Sequence, residues 1–149
     1  MYKDNIEAIM MSFTKYMDFM PLYNEENKIK IDEKNNIMVK DYFGTIIFLK
    51  LINGDLLSEE EIKQHFIDVK ESLLSSKKNT VVYSFEIFIF EKDPQIEKIK
   101  IIEENQVNKV TGRKYLRSMV VNLEEQSVMS HFKTKRDEFG FKRTFKEIF

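Results

Sequence analysis

One stretch of the sequence, residues 80–91, constrains the possible folds more than any other. It is rich in valine, tyrosine, phenylalanine and isoleucine, which favour β-strands. Apolar side chains occupy both faces of this strand, and only Ser84 and Glu86 interrupt them. A strand that is apolar on both faces must be covered on both sides, as in the interior of a sheet flanked by helices. Residues 45–52 have the same character, so the sequence predicts two interior strands of one sheet.

Two helices with clear start signals would cover this sheet. Ser58 and Glu61 form a capping box at the start of one helix, and Asp4 with Glu7 forms a second. Apolar residues follow each start at helical spacing. They are Ile62, Phe66, Val69 and Leu73 in the later helix, and Ile6, Ile9, Met10, Phe13 and Met17 in the earlier one.

Shorter strands and one more helix complete the predicted order. Residues 28–32, 37–41 and 115–123 have strand-like patterns, and Asp93 followed by Pro94 starts a third helix. The predicted fold is therefore α/β (α+β), a mixed central β-sheet flanked by helices in the order αβββαβαβ.

The composition suits one globular domain in a reducing compartment. The chain has 149 residues, of which 42% are hydrophobic, and it contains no cysteine. Disulfides, thiolate chemistry and cysteine-ligated zinc are thereby excluded. The first residues are polar and include an acid, unlike a signal peptide, and no apolar run approaches the roughly 20 residues of a membrane span. We expect a cytoplasmic domain.

The sequence contains no recognisable catalytic motif. Its two histidines, His65 and His131, are most simply surface or boundary residues. The four glycines are scattered, which excludes a phosphate-binding loop and a dinucleotide fingerprint. A Gly-x-Ser-x-Gly elbow is missing as well. We therefore predict no catalytic, cofactor-binding or metal-binding residues, and no cofactor.

Glu86 is the most informative acid, because it interrupts an apolar strand. A carboxyl group buried there needs a partner, or its pKa is raised by the loss of water. A purely structural role, at a sheet edge or paired with a nearby lysine, is the simpler interpretation, and a functional role is the alternative.

The predicted element order resembles the core of the PD-(D/E)xK nuclease superfamily. Those enzymes place one acid near the end of the second strand and an acid-x-lysine motif on the third, so that two carboxylates hold Mg²⁺. Asp41 could be the first acid, but Phe48 stands where the second carboxylate belongs, two residues before Lys50. Two other acid-x-lysine triplets, beginning at Glu26 and Asp68, fall on the wrong elements. The resemblance implies a restriction-endonuclease-like core without the nuclease site.

The C-terminal segment, residues 133–149, carries a positive excess of +3, whereas the whole chain has a net charge of −1. Apolar residues alternate with its bases, as in a segment beside the cytoplasmic face of a membrane. A solvated charged end and a nucleic-acid contact are the alternatives, and the negative total charge argues against the second. We assign residues 1–132 to a globular domain and residues 133–149 to a juxtamembrane segment. Its bases are Lys133, Lys135, Arg136, Lys142, Arg143 and Lys146, and its apolar residues are Phe139, Phe141, Phe145, Ile148 and Phe149.

Four stretches, residues 44–50, 58–75, 82–90 and 114–123, are together similar to the cytosolic N-terminal domain of Gram-positive rhomboid-family intramembrane serine proteases. The likeness is a pattern of strands and helices, without an invariant chemical motif. It implies a nuclease-like fold that lacks nuclease residues. No catalytic residue of the family can be carried over, because its serine and histidine lie in the membrane part.

The resemblance implies a non-catalytic regulatory or adaptor domain of a membrane protease, at the cytoplasmic face of the membrane. Such a domain would recruit a protein partner or sense a cytosolic signal, and we expect contact with a protein or a membrane surface but not with nucleic acid. Two alternatives remain. One is a divergent metal-dependent nuclease that uses Asp41 together with Glu86 from a neighbouring strand. The other is a free-standing protein-interaction domain.

Overall fold

The structure is a computed structural model that describes residues 2–21, 31–77, 79–105, 109–129 and 141–149. These residues form α-helices and β-strands that we number in chain order. They are α1 (Tyr2–Met17), β1 (Met20–Pro21), β2 (Asn35–Tyr42), β3 (Thr45–Asn53), α2 (Glu59–Ser75), β4 (Val82–Phe90), α3 (Ile96–Glu104), β5 (Lys114–Asn122), β6 (Ser127–Met129) and α4 (Phe141–Ile148), with a short 3₁₀ helix (Gly54–Leu56) between β3 and α2.

The strands form one six-stranded mixed sheet in which sequence order and spatial order coincide. β2 and β3 make an antiparallel hairpin, whereas β3, β4 and β5 run parallel to one another. Each parallel step crosses over through a helix, α2 after β3 and α3 after β4. The predicted class, a mixed sheet flanked by helices, is confirmed, and β3 and β4 are the two predicted interior strands.

The predicted start of the sheet differs from the structure. Of the expected strand 28–32, residues 28–30 lie outside the described part of the chain, and residues 31–32 are not in a strand. The first strand is instead the two-residue β1, which pairs with β2 at Val39 and Met38. Two elements, β6 and α4, follow those that the sequence predicts.

The helix starts also differ in detail. The first helix begins at Tyr2, ahead of Asp4. α3 begins at Ile96, and its N-cap residue, Gln95, makes no side-chain capping bond. Asp93 does not cap this helix; its carboxylate accepts a hydrogen bond from Asn122 Nδ2 at 2.8 Å. The capping box of α2 is present as predicted, and the buried residues of this helix are Ile62, Phe66, Val69 and Leu73.

Strand alternation divides the core into two layers. On β4, Phe85 and Ile87 face the layer that contains α1 and α4, whereas Phe88 and Phe90 face the layer that contains α2 and α3. The first layer also contains the buried cation Arg117, whose guanidinium lies 5.6 Å from the ring centres of Tyr83 and Tyr115. The sheet is thus covered on both sides, as its apolar strands require.

The last helix is an integral part of the first layer. Phe141 and Phe145 on α4 are fully buried. Their ring centres lie 5.8 Å and 5.3 Å from that of Phe13 on α1, and Phe141 approaches Phe85 of β4 to 4.3 Å. α4 therefore shares a core with α1, although the sequence places it in a segment beyond the domain of residues 1–132.

Candidate functional site

A row of polar side chains crosses the α2 side of the sheet at one register. Glu86 on β4 lies opposite Lys50 on β3 and Ser118 on β5. α2 crosses above this row because its apolar stripe packs on the sheet, and its flank brings His65 down to Glu86. Glu86 itself is completely buried, whereas the side chains of Lys50 and His65 keep 16% of their surface exposed.

The carboxylate of Glu86 is bonded on both oxygens. Its Oε1 lies 3.1 Å from Lys50 Nζ and 2.9 Å from His65 Nε2, and Ser84 Oγ donates to Oε2 at 2.8 Å. Burial raises the pKa of Glu86, but the hydrogen bond from His65 and the charge of Lys50 outweigh burial and hold the pKa below its ordinary value. Glu86 is therefore an ionised, paired carboxylate, in agreement with the structural interpretation of this residue.

This buried cluster is poorly arranged for catalysis. The Ser84 hydroxyl donates a hydrogen bond to Glu86, and the Nε2 of His65 also faces Glu86, so the histidine does not activate the serine hydroxyl through that nitrogen. Within the described part of the chain, no group of three or more His, Asp or Glu residues could hold a metal ion. The contacts instead tie α2 to β3 and β4.

The two nuclease candidates, Asp41 and Glu86, are far apart. Two strand spacings and four residues along the strands separate them, roughly 16 Å in all. Asp41 is exposed, and its Oδ1 accepts a hydrogen bond from the backbone N–H of Gly44 at 2.9 Å in the β2–β3 turn. These two carboxylates cannot share one cation, and the Asp68 triplet lies on α2, while the Glu26 triplet falls outside the described residues.

A groove of about 430 Å³ lies between the C-terminal half of α2 and strands β2 and β3. The apolar residues of its floor are Ile37, Ile46 and Phe48, which the helix leaves partly exposed. Lys50 and Lys77 are among its polar lining residues. Phe48, which stands where a nuclease of this superfamily would have its second carboxylate, thus lines a surface groove.

A second surface feature, which the sequence did not indicate, is the tip of the β2–β3 hairpin. Phe43 is 93% exposed and has a left-handed backbone, with φ of 51°. Tyr42 and Met20 are half exposed beside it, and Lys40 Nζ lies 5.3 Å from the Tyr42 ring centre. We call these four residues the hairpin-tip surface; they line a shallow depression of about 640 Å³.

The predicted membrane-proximal residues are only partly described. Lys133, Lys135 and Arg136 lie outside the described residues, as does the side chain of Lys142. Arg143 and Lys146 are exposed on α4. Two of the aromatic residues expected to accompany them at a membrane, Phe141 and Phe145, are instead buried against α1 and β4. Phe139 lies outside the described residues.

Comparison with known proteins gives no relative. No protein-family model matches the sequence, and no match to a curated protein or a solved structure was found. Among the described residues, no helix is long and apolar enough to cross a bilayer.

Proposed function

We propose that the chain is a non-catalytic recognition domain that binds a protein partner, and that it serves as the cytosolic regulatory or adaptor domain of a rhomboid-family membrane protease. The hairpin-tip surface is the observation that supports partner binding. The membrane link rests on the family resemblance, and the two parts are tested separately.

Phe43 contributes little to the fold and imposes a cost on it. A left-handed backbone costs a residue with a Cβ atom roughly 1–2 kcal/mol, and a turn of this kind favours asparagine or glycine. The side chain gains almost no burial in return, since 93% of its surface is exposed. Aromatic residues, phenylalanine included, are enriched in protein interfaces. Contact with another protein accounts best for a phenylalanine at this position.

The segments that carry the family resemblance are adjacent in space. They contain β3, α2, β4 and β5, which are three neighbouring strands and the helix that connects the first two. A likeness distributed over one packed unit supports a shared fold more than the same likeness over scattered segments.

Photo-crosslinking tests the recognition surface. A photoreactive phenylalanine analogue at position 43 should become crosslinked to one discrete partner in the cells that produce the protein. The matched control places the same analogue at Ile67, an exposed position on α2. If both positions give the same products, or position 43 gives none, the hairpin-tip surface is not the contact.

The gene tests the membrane link. If the chain belongs to a membrane protease, the reading frame after Phe149 should encode apolar spans of about 20 residues. A stop codon there would contradict the link and leave a free-standing interaction domain.

The nuclease remains the second candidate, because Lys50 Nζ lies 3.1 Å from Glu86 as an acid–lysine pair. Its weakness is that Glu86 is inaccessible and that Asp41 is too distant to complete the site.

A further inference from the structure

We propose that the groove beneath the C-terminal half of α2 binds a small amphiphile that has one carboxylate and an aliphatic body, such as a medium-chain fatty acid. This proposal uses neither the hairpin-tip surface nor the membrane link, so it stands or falls independently of the proposed function.

The shape of the groove follows from how the helices cover the sheet. α2 and α3 pack over β3, β4 and β5, whereas the part of β2 on the same side remains beyond the edge of α2. Ile37, Ile46 and Phe48 therefore form an apolar floor that is only half buried, with Leu73 as a wall. The volume of about 430 Å³ lies within the range of roughly 300–1,000 Å³ that is typical of small-molecule sites. The apolar side chains of this floor suit an aliphatic chain.

The charge of the groove specifies the head group. The described residues of its lining include two lysines and no acid. Lys50 is paired with Glu86, and Lys77 has no ion-pair partner among the residues that the structure describes. Ser76 and Thr80 add hydroxyl groups near Lys77. One uncompensated lysine suits a singly charged carboxylate, which it would bind through a charge-assisted hydrogen bond.

The rim that carries Lys77 is held in place by a buried residue. Lys114, which is 3% exposed, donates hydrogen bonds from Nζ to the backbone carbonyls of Lys77 and Thr80. Arg113 adds a bond from its guanidinium to the carbonyl of Asn79 at 3.2 Å. The rim is therefore positioned before any ligand arrives, which lowers the entropic cost of binding.

A tryptophan reporter tests the site directly. The protein has no tryptophan, so Phe48→Trp places the sole indole on the groove floor. Titration with decanoate below its micelle concentration should shift the indole emission to shorter wavelength and saturate. Decylamine should bind at least about tenfold more weakly, since its cationic head group meets Lys77.

A lysine substitution and its control test the head group. Lys77→Gln in the reporter protein should weaken decanoate binding by about tenfold, and the effect should shrink at high salt. Lys63→Gln, which removes an exposed lysine of α2 that does not line the groove, should leave binding unchanged. Equal binding of decanoate and decylamine, or no effect of Lys77→Gln, would overturn the proposal.

The unmodified chain provides a second measurement in case Phe48→Trp does not fold. Decanoate should shift the NMR signals of the Ile37 and Ile46 methyl groups and leave those of Ile9, on the other side of the sheet, unchanged. Unchanged Ile37 and Ile46 signals at millimolar decanoate would show that the groove does not bind such a ligand.

Discussion

The pairing of Glu86 shows how the fold accommodates a charge inside an apolar strand. Lys50, His65 and Ser84 together replace the water that the carboxylate loses on burial. An ion pair of this kind adds little net stability compared with apolar residues, but the loss of one partner leaves the other charge unpaired. The packing of α2 on β3 and β4 is therefore sensitive to the loss of any one of these side chains.

Glu86→Gln should destabilise the protein at pH 7 by about 3–5 kcal/mol, because Lys50 would keep its charge without a carboxylate. The pKa of Glu86 is lower in the folded chain than its ordinary value of 4.5. Its ionisation therefore stabilises the fold above that pH, and the contribution is lost as the pH falls through the folded pKa. Urea unfolding of both proteins between pH 7 and pH 3 measures this difference.

The stability gap between wild type and Glu86→Gln should narrow as the carboxylate takes up its proton. Lys63→Gln is the control, since Lys63 forms an exposed pair with Glu60 at 3.4 Å and its loss should change stability little. A gap that stays constant over the whole pH range would show that folding does not lower the pKa of Glu86.

Phe43→Asn should leave stability unchanged or raise it by up to about 1 kcal/mol, because asparagine tolerates the left-handed backbone better. The same substitution should remove partner binding at the hairpin-tip surface. Chemical denaturation checks the first expectation. A loss of more than about 1 kcal/mol would mean that Phe43 packs against the fold after all.

At the scale of elements, α2 holds one side of the sheet through its buried stripe. Phe66→Ala should cost about 3–5 kcal/mol, because its side chain is 1% exposed and its ring lies 5.5 Å from that of Phe88. The neighbouring Ile67 is half exposed, so Ile67→Ala should cost far less. Urea unfolding compares the two variants. A loss of stability below roughly 1 kcal/mol for Phe66→Ala would show that the face of α2 that carries Phe66 does not pack in the core.

α4 holds the other side of the sheet. Removal of residues 141–149 should abolish the cooperative unfolding transition, because Phe141 and Phe145 fill the space beside Phe13. Phe145→Ala alone should cost about 3–5 kcal/mol. Circular dichroism during thermal unfolding measures both effects. A truncated chain that still melts cooperatively near the wild-type temperature would show that α4 is dispensable.

For the molecule as a whole, the separation of its carboxylates predicts an absence of nuclease activity. Plasmid DNA incubated with the purified chain and Mg²⁺ or Mn²⁺ should remain intact, because Asp41 and Glu86 are too distant to bind one metal ion. Asp41→Ala is the control. Cleavage by the wild-type chain that disappears in this variant would establish the nuclease alternative.

Local sequence patterns were sufficient to predict the framework of the fold. The apolar strands β3 and β4 and the capped helix α2 were predicted because each depends on neighbours within a few residues. β1 was missed, since two residues carry no periodic signal.

Contacts between distant residues were beyond sequence reasoning. The contact between His65 and Glu86 depends on the register of two strands and the placement of a helix, which no local pattern specifies. α4 shows a different limit, because aromatic residues four positions apart beside bases fit a membrane surface and a protein core equally well. Only its packing against α1 distinguishes the two.

The contact between α1 and α4 has a consequence for biosynthesis. The aromatic ring of Phe13 meets that of Phe145 only after all the residues between them have been translated. Ribosomes add about 5–20 residues per second, so α1 emerges several seconds before its partner exists. During that interval the apolar face of α1 has nothing from α4 to cover it. The nascent chain thus presents this face to chaperones until α4 leaves the ribosome.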